Sequence, residues 1–359
     1  MSSIASIFHR TFDQVPTHIV TSPGRINLIG EHIDYNHGFV LPAAIDKAIE
    51  VAISKREDDI IKIVAVDINE SAEVSIDHLT PSKISWVNYI IGVCKGVRFK
   101  LDKGFNICIH GDIPLGAGLS SSAAVECAVL FAINELYHIG LDKKQMALMA
   151  QKAEHEFSGV QCGIMDMYAS LFGKKDHVML LDCDTIEHKY YPLPLKDHAI
   201  VLFNTNVKHD LASSEYNTRR QECEKALSLI QKKYPSITTY REVTEKQVKE
   251  VVGKDSSPKG ITLLHRALFV VQEIQRVQQA VKDLSKNDLD SFGEKMFATH
   301  EGLSTLYQVS CPELDFLVNA VKDNEAVLGA RMMGGGFGGC TINIIRKDQV
   351  FPILSQLQE

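Results

Sequence analysis

The chain has 359 residues, of which 45% are hydrophobic and 23% charged, with a formal net charge of −7. This length can bury two substantial cores, and the composition is that of an ordinary globular protein. The acidic balance excludes a nucleic-acid binder that works by neutralising a phosphate backbone. No apolar run reaches the ~20 residues that span a bilayer, so no membrane partner is expected.

In chain order, HIVTSP, FVLPAAID, EVAISKR, IKIVAVD and AEVSID read as strands with short polar connections. WVNYIIGVCKGVRF reads as a helix and FNICIHGDIP as a strand. A glycine–serine run follows, then the alanine-rich AAVECAVLFAINELY, long and apolar on most sides, which predicts a buried helix. KKQMALMAQKAEHEF is an amphipathic helix, and VMLLDCD and HAIVLFNTNV are strands. The second half opens with the polar helix SSEYNTRRQECEKALSLIQKKY and passes through EVTEKQVKEVVGKDSSPKG, the most loop-like stretch. Three long helical patterns, a strand around CTINII and a last helix complete the chain. The pattern is α+β in two domains, with boundaries expected at 1–190 and 191–359.

Eight cysteines are scattered without any C-x-x-C spacing, which argues against a zinc ribbon or a thioredoxin-like site. MSSIASIFHRTF lacks a charged segment followed by an apolar one, so no signal peptide is expected. A cytoplasmic monomer is the expected state.

GDIPLGAGLSSSAAVECA, residues 111–128, sets glycines and serines against the start of the buried helix. A helix start carries unpaired N–H groups and a partial positive charge. Gly116 and Gly118 allow the preceding backbone to turn its own N–H groups to the same point. Such a combination cradles phosphate; the plainer alternative is a capped helix after a loop. No G-x-x-x-x-G-K-[ST] occurs, so the chain is not a P-loop enzyme.

MMGGGFGGC, residues 332–340, fits G-x-G-x-x-G, but its strand follows the glycines, which excludes a dinucleotide site. Two readings remain there, a hairpin turn or a backbone wall pressed against a ligand. SPGRINLIGEHIDYNHG, residues 22–38, holds Arg25, Glu31, His32, Asp34 and Tyr35 among glycines. Its closely spaced carboxylates suit neighbouring sugar hydroxyls, and apolar flanks predict a partly buried Arg25 in need of a partner. Asp166 stands in the small, apolar CGIMDMYASLFG, where an unpaired carboxylate is costly. It is either a helix cap or a carboxylate held by a cation. Glu154, on the preceding helix, is either a surface charge or a hard oxygen ligand for magnesium.

Together these clusters resemble the galactokinases, within the GHMP family of sugar and small-metabolite kinases. GRINLIGEHIDYNHG is similar to the galactokinase signature, GDIPLGAGLSSSAA to the family's phosphate loop, and MMGGGFGG to its third motif. CGIMD and SSEYNTRRQEC also resemble galactokinase segments, and the similarity runs in order from about residue 8 to the last strand. The resemblance implies a two-domain fold with the active site in the cleft between the domains. It implies that Gly116, Ala117, Gly118, Leu119, Ser120, Ser121 and Ser122 wrap the phosphates of ATP, and that Ser122 and Glu154 hold Mg²⁺. By the same resemblance Asp166 matches the catalytic aspartate and Arg25 its partner, while Glu31, His32, Asp34, Gly163 and Tyr216 match sugar contacts. The implied reaction converts galactose and ATP to galactose 1-phosphate and ADP.

One departure stands out. Met167 follows Asp166 where galactokinases usually carry glutamine. A kinase for galactosamine, arabinose or a uronic acid is the nearest rival reading. A galactose and ATP sensor without catalysis is a second; such sensors lack the Ser-Ala pair that this chain retains at Ser122 and Ala123.

Overall fold

In a computed structural model, residues 3–114, 116–207 and 212–358 are described. Leu115, inside the glycine–serine run, lies outside them. The chain folds into two compact units. The first comprises Met1–Arg25, Ala44–Leu115 and Leu119–Gly173; the second comprises Ile26–Ala43, Gly116–Gly118 and Lys174–Glu359.

The first unit contains α1 (Ile4–Phe12), most of β1 (His18–Asn27) and β3 (Pro42–Lys55), β4 (Ile60–Ala65), β5 (Glu70–Ser75), α2 (Ser85–Gly96) and β6 (Phe105–Gly111). Helices α3 (Ser121–Leu136), α4 (Lys143–Ala153) and α5 (Met165–Phe172) complete it. The sheet order is β1-β3-β6-β4-β5. Strand β6 is central, parallel to β4 and antiparallel to β3 with Cys108 opposite Ala52. Centrality explains why FNICI is buried throughout rather than alternating. FVLPAAID and EVAISKR are not two strands: one 14-residue strand begins at Pro42, where a missing N–H is tolerated. Helix α1 was not expected from the sequence. Ser3 caps it by accepting from the Ser6 N–H, and Ile4 and Phe8, one turn apart, pack on Ala52 and Cys108.

The second unit carries β2 (Phe39–Val40), β7 (His177–Asp182) and β8 (Glu187–Pro192) as one sheet. A second sheet has the order β10-β11-β9, from β9 (His198–Asn204), β10 (Val327–Met332) and β11 (Cys340–Arg346). Its helices are α6 (Ala212–Lys233), α7 (Glu245–Val251), α8 (Pro258–Ser285), α9 (Leu289–Glu301), α10 (Pro312–Val321) and α11 (Val350–Gln358). Phe203, Val318, Val327, Ile345 and Ile353 form one core cluster there. The stretch read as loop contains α7 and the first turn of α8. Thr244 and Gln247 form a capping box, and Ser257 caps α8 ahead of Pro258. These start signals outweigh the polar composition. Among the described residues no helix is long and apolar enough to cross a membrane, and all eight cysteines are free thiols.

Candidate active site

Ser120, Ser121 and Ser122 lead into α3 through backbone of unusual conformation. Gly116, Gly118 and Ser120 have φ of 74°, 71° and 58°. Left-handed residues alternating with right-handed ones can turn successive N–H groups to one side of a chain. Ser120 is not an ordinary cap. Its side chain makes no capping bond, and its Oγ donates to Asp166 Oδ2 at 2.5 Å. The loop is tied to β1 by the Arg25 N–H, which donates to the Leu119 carbonyl at 3.1 Å.

Arg25 is buried and meets Asp166 in a two-pronged pair, Nε to Oδ1 at 2.7 Å and Nη2 to Oδ2 at 2.8 Å. Asp166 lies inside the first turn of α5 rather than at its cap, which is Ile164. Its side chain is 26% exposed. Three donors therefore converge on one carboxylate that still faces open space. A carboxylate offers about four acceptor positions, which leaves room for one more donor. Gly163 is buried three residues upstream.

Glu154 is not a surface charge. It is buried at the first position of a widened π-type turn, Glu154–Ser158, a local geometry common at functional sites. Ser122 Oγ donates to its Oε1 at 3.2 Å. Burial, then the charge of Asp166, pushes the Glu154 carboxyl up to about 7. Glu126, one helical turn after Ser122, is fully buried, and neither carboxyl oxygen has a hydrogen-bond partner among the described residues. Hard oxygens held in such a carboxylate-rich setting fit a hard divalent cation. Among the described residues no three acidic, histidine or cysteine side chains are placed to hold a metal ion. A cation held by Ser122 and Glu154 would thus complete its shell with phosphate and water oxygens, as magnesium does.

Beside these serines lies a cavity of about 170 Å³, lined by Ile68, Trp86, Tyr89 and Val125 together with Ser121 and Ser122. The sequence showed Trp86 and Tyr89 only as helix residues. Their signal was two aromatics three positions apart on one helix, which periodicity alone assigns to a core.

In the second unit Glu31 is 1% exposed and saturated. Oε2 takes Asn27 Nδ2 and Arg331 Nη2, both at 2.8 Å, and Oε1 takes the Gly334 N–H at 3.1 Å. Arg331, fully buried, also donates from Nε to the Leu28 carbonyl at 2.8 Å. Its role was not visible in the sequence, although a charge just before an apolar glycine motif was a usable hint.

His32 anchors a hydrogen-bond chain whose direction is forced. Burial pushes its ring down to about 3, so it is neutral. Nε2 sits 3.1 Å from the Gly335 carbonyl, which only accepts, so Nε2 carries the hydrogen and Nδ1 accepts. Tyr35 then donates to Nδ1 at 2.7 Å, Tyr307 donates to Tyr35 at 2.9 Å, and the Cys223 thiol donates to Tyr307 at 3.0 Å. Tyr216, half-buried, lies with its ring centre 5.1 Å from that of His32 and 5.3 Å from that of Tyr35. Asp34 is buried nearby in the chain at 9% exposure.

The glycine motif is a hairpin turn between the antiparallel strands β10 and β11. A Cβ at Gly336 would lie 2.1 Å from the Val309 carbonyl, and one at Gly338 2.4 Å from that of Val207. Close approach of protein backbone accounts for glycine at these two positions. Met167 is fully buried, and its carbonyl receives the Cys127 thiol at 3.6 Å. The substitution therefore falls in the core, not on an open surface beside Asp166.

Family profiles match three segments: the galactokinase galactose-binding signature over residues 6–55, the GHMP kinases N terminal domain over 88–174, and the GHMP kinases C terminal over 280–359. The chain is 43% identical over 343 residues to a galactokinase of Thermosipho africanus, covering 95% of this chain and 92% of that one. It is 40% identical over 357 residues to a galactokinase of Clostridium perfringens, covering 98% and 91%. Among solved structures, a Lactococcus lactis galactokinase complexed with galactose superposes with a TM-score of 0.91 at 33% identity, covering 99% of this chain and 92% of that chain. A mevalonate kinase superposes at 0.64 with 18% identity, over 95% of this chain and 96% of that chain, and shares the fold. Fold and sequence are shared along nearly the whole length, and the chain belongs to the galactokinase family of GHMP kinases.

Proposed function

We propose that this galactokinase-family enzyme transfers the γ-phosphoryl group of ATP to the C1 hydroxyl of galactose through the residues described above. The observation that carries the residue assignment is the Asp166 carboxylate, which accepts from Arg25 twice and from Ser120 once and remains partly open. Phosphoryl transfer asks mainly for alignment and for stabilisation of charge on the transferring group. A carboxylate with one acceptor position left suits a substrate hydroxyl, which it aligns and whose proton it receives late. Arg25 holds that carboxylate and places positive charge beside the transferring group. Gly116 to Ser122 supply N–H groups for the phosphates, and the apolar cavity beside Trp86 and Tyr89 suits a flat base.

Ser122 and Glu154 would hold Mg²⁺, which when bound neutralises phosphate charge. Glu31, His32, Asp34, Gly163 and Tyr216 are read as sugar contacts. Both ring nitrogens of His32 are already engaged, so His32 meets the sugar through its ring edge or backbone. With Met167 in the core, no side chain at that position opens the site to a different substituent. We read the enzyme as a cytoplasmic monomer of two domains, without nucleic-acid or membrane partners.

The test is ATP consumption with galactose, glucose, galactosamine, arabinose and galacturonate, with the product identified by phosphorus NMR. Galactose is expected to give galactose 1-phosphate. A site whose polar groups are left unpaired by an inverted hydroxyl rejects the epimer by ~10⁴, so glucose should be a very poor substrate. Comparable turnover of glucose and galactose overturns the sugar assignment and leaves the kinase assignment standing.

A further inference from the structure

The loop carrying Glu31, His32 and Asp34 runs from the end of β1 at Asn27 to β2 at Phe39. Within it Gly30 has φ of 104°. A Cβ there would lie 2.7 Å from the Phe39 carbonyl and 3.1 Å from Val277 Cγ2. Gly30 is buried, and a buried N–H left without an acceptor is costly. Its acceptor comes from far along the chain: Glu273 Oε1 on α8, at 3.1 Å. Glu273 is fully buried, beside the buried Val270, Ile274 and Val277 of that helix. Thr299 on α9, also fully buried, donates from Oγ1 to both Glu273 oxygens at 3.0 Å. Arg276, one turn along α8, pairs with Oε2.

A buried carboxylate is expensive unless it is fully engaged. Here it is engaged by one cation, one hydroxyl and one backbone N–H of the loop. We propose that Glu273, locked by Thr299, is a positioning residue for the sugar: it fixes Gly30, the residue immediately ahead of Glu31 and His32, and so sets galactose affinity. The proposal rests on the reading of this loop as the sugar site. Neither Glu273 nor Thr299 touches the reacting atoms, so their effect reaches the sugar only through loop geometry. That geometry has a second anchor in Arg331, which holds the Leu28 carbonyl and Glu31. Glu273 acts on Gly30, between the two positions that Arg331 holds.

The test compares Glu273→Ala, Glu273→Gln and Thr299→Val with wild type. It uses steady-state kinetics in both substrates and a galactose-dependent shift in melting temperature. Glu273→Ala should raise the galactose KM tenfold or more, with kcat and the ATP KM within twofold. Glu273→Gln keeps an oxygen acceptor for Gly30 and should stay within threefold of wild type in galactose KM. Thr299→Val should fall between them, and it decides the matter if Glu273→Ala does not fold. A merely structural role would lower the melting temperature of all three and leave the galactose KM alone. Folded Glu273→Ala or Thr299→Val with wild-type galactose affinity overturns the proposal. A wild type that shows no galactose-dependent melting shift overturns the sugar-site reading instead, and this role with it.

Discussion

The Arg25–Asp166 cluster of the first unit and the Glu31–His32 cluster of the second are made of the same kinds of side chain and are finished in opposite ways. Around Glu31 and His32 each oxygen and ring nitrogen discussed above has a protein partner, and the hydrogen-bond direction is set from Cys223 to Gly335. Around Asp166 acceptor capacity remains, Glu126 has no partner among the described residues, and burial holds the Glu154 carboxyl near neutrality. A closed network fixes shape. An open one, rich in carboxylates, is stable only when it gains cations or donors from elsewhere. The first arrangement suits recognition, the second suits phosphate and metal chemistry.

The largest test of this contrast is Asp166→Asn. The amide keeps the shape but loses acceptor charge, so kcat should fall by ~10³, while the galactose-dependent melting shift persists. Near-wild-type turnover would remove Asp166 from the chemistry. In the closed network, Arg331→Met strands the buried Glu31 carboxylate. Breaking a buried pair from one side costs ~3–5 kcal/mol, measurable by urea unfolding. An unchanged midpoint would mean that the network carries no tension.

The two clusters should also respond to pH with opposite sign. His32 titrates near 6.5 when unfolded and about 3 when folded, so the unfolded chain binds the proton first as pH falls. Its contribution is complete above pH 6.5 and declines as pH drops toward 3. Glu154 is raised from 4.5 to about 7, so its contribution is complete below pH 4.5 and is lost as pH rises through about 7. Between pH 6.5 and 5, wild type should lose ~2 kcal/mol more stability than His32→Asn. Over the same range Glu154→Gln should lose more than wild type, because it lacks the opposing gain. Parallel stability curves for wild type and His32→Asn would contradict the buried, neutral histidine.

The smallest expected effect on activity is at Met167. Met167→Gln buries an amide in the core and should cost ~1–3 kcal/mol of stability, with galactose kcat/KM within about threefold. A change of sugar preference in this variant would show that the side chain reaches the site after all.

Local chemistry was enough to read the buried helix α3 behind the glycine–serine run, and the need of Arg25 and Asp166 for partners. Glycines, cap residues and stranded charges carry their meaning within a few positions, because backbone conformation and desolvation are local costs. The same logic was available for α7 in its Thr244–Gln247 capping box, and composition hid it. Tertiary structure alone decided which partner each charge took. Arg25 could have met any carboxylate, yet Asp166 lies 141 residues away. Glu31 is held by Arg331, and Gly30 by Glu273, 243 residues on. It also decided that Met167 turns into the core while Asp166, one position before it, stays partly open. Such pairings depend on which faces of distant elements pack together, and in a single sequence no local free-energy term marks them.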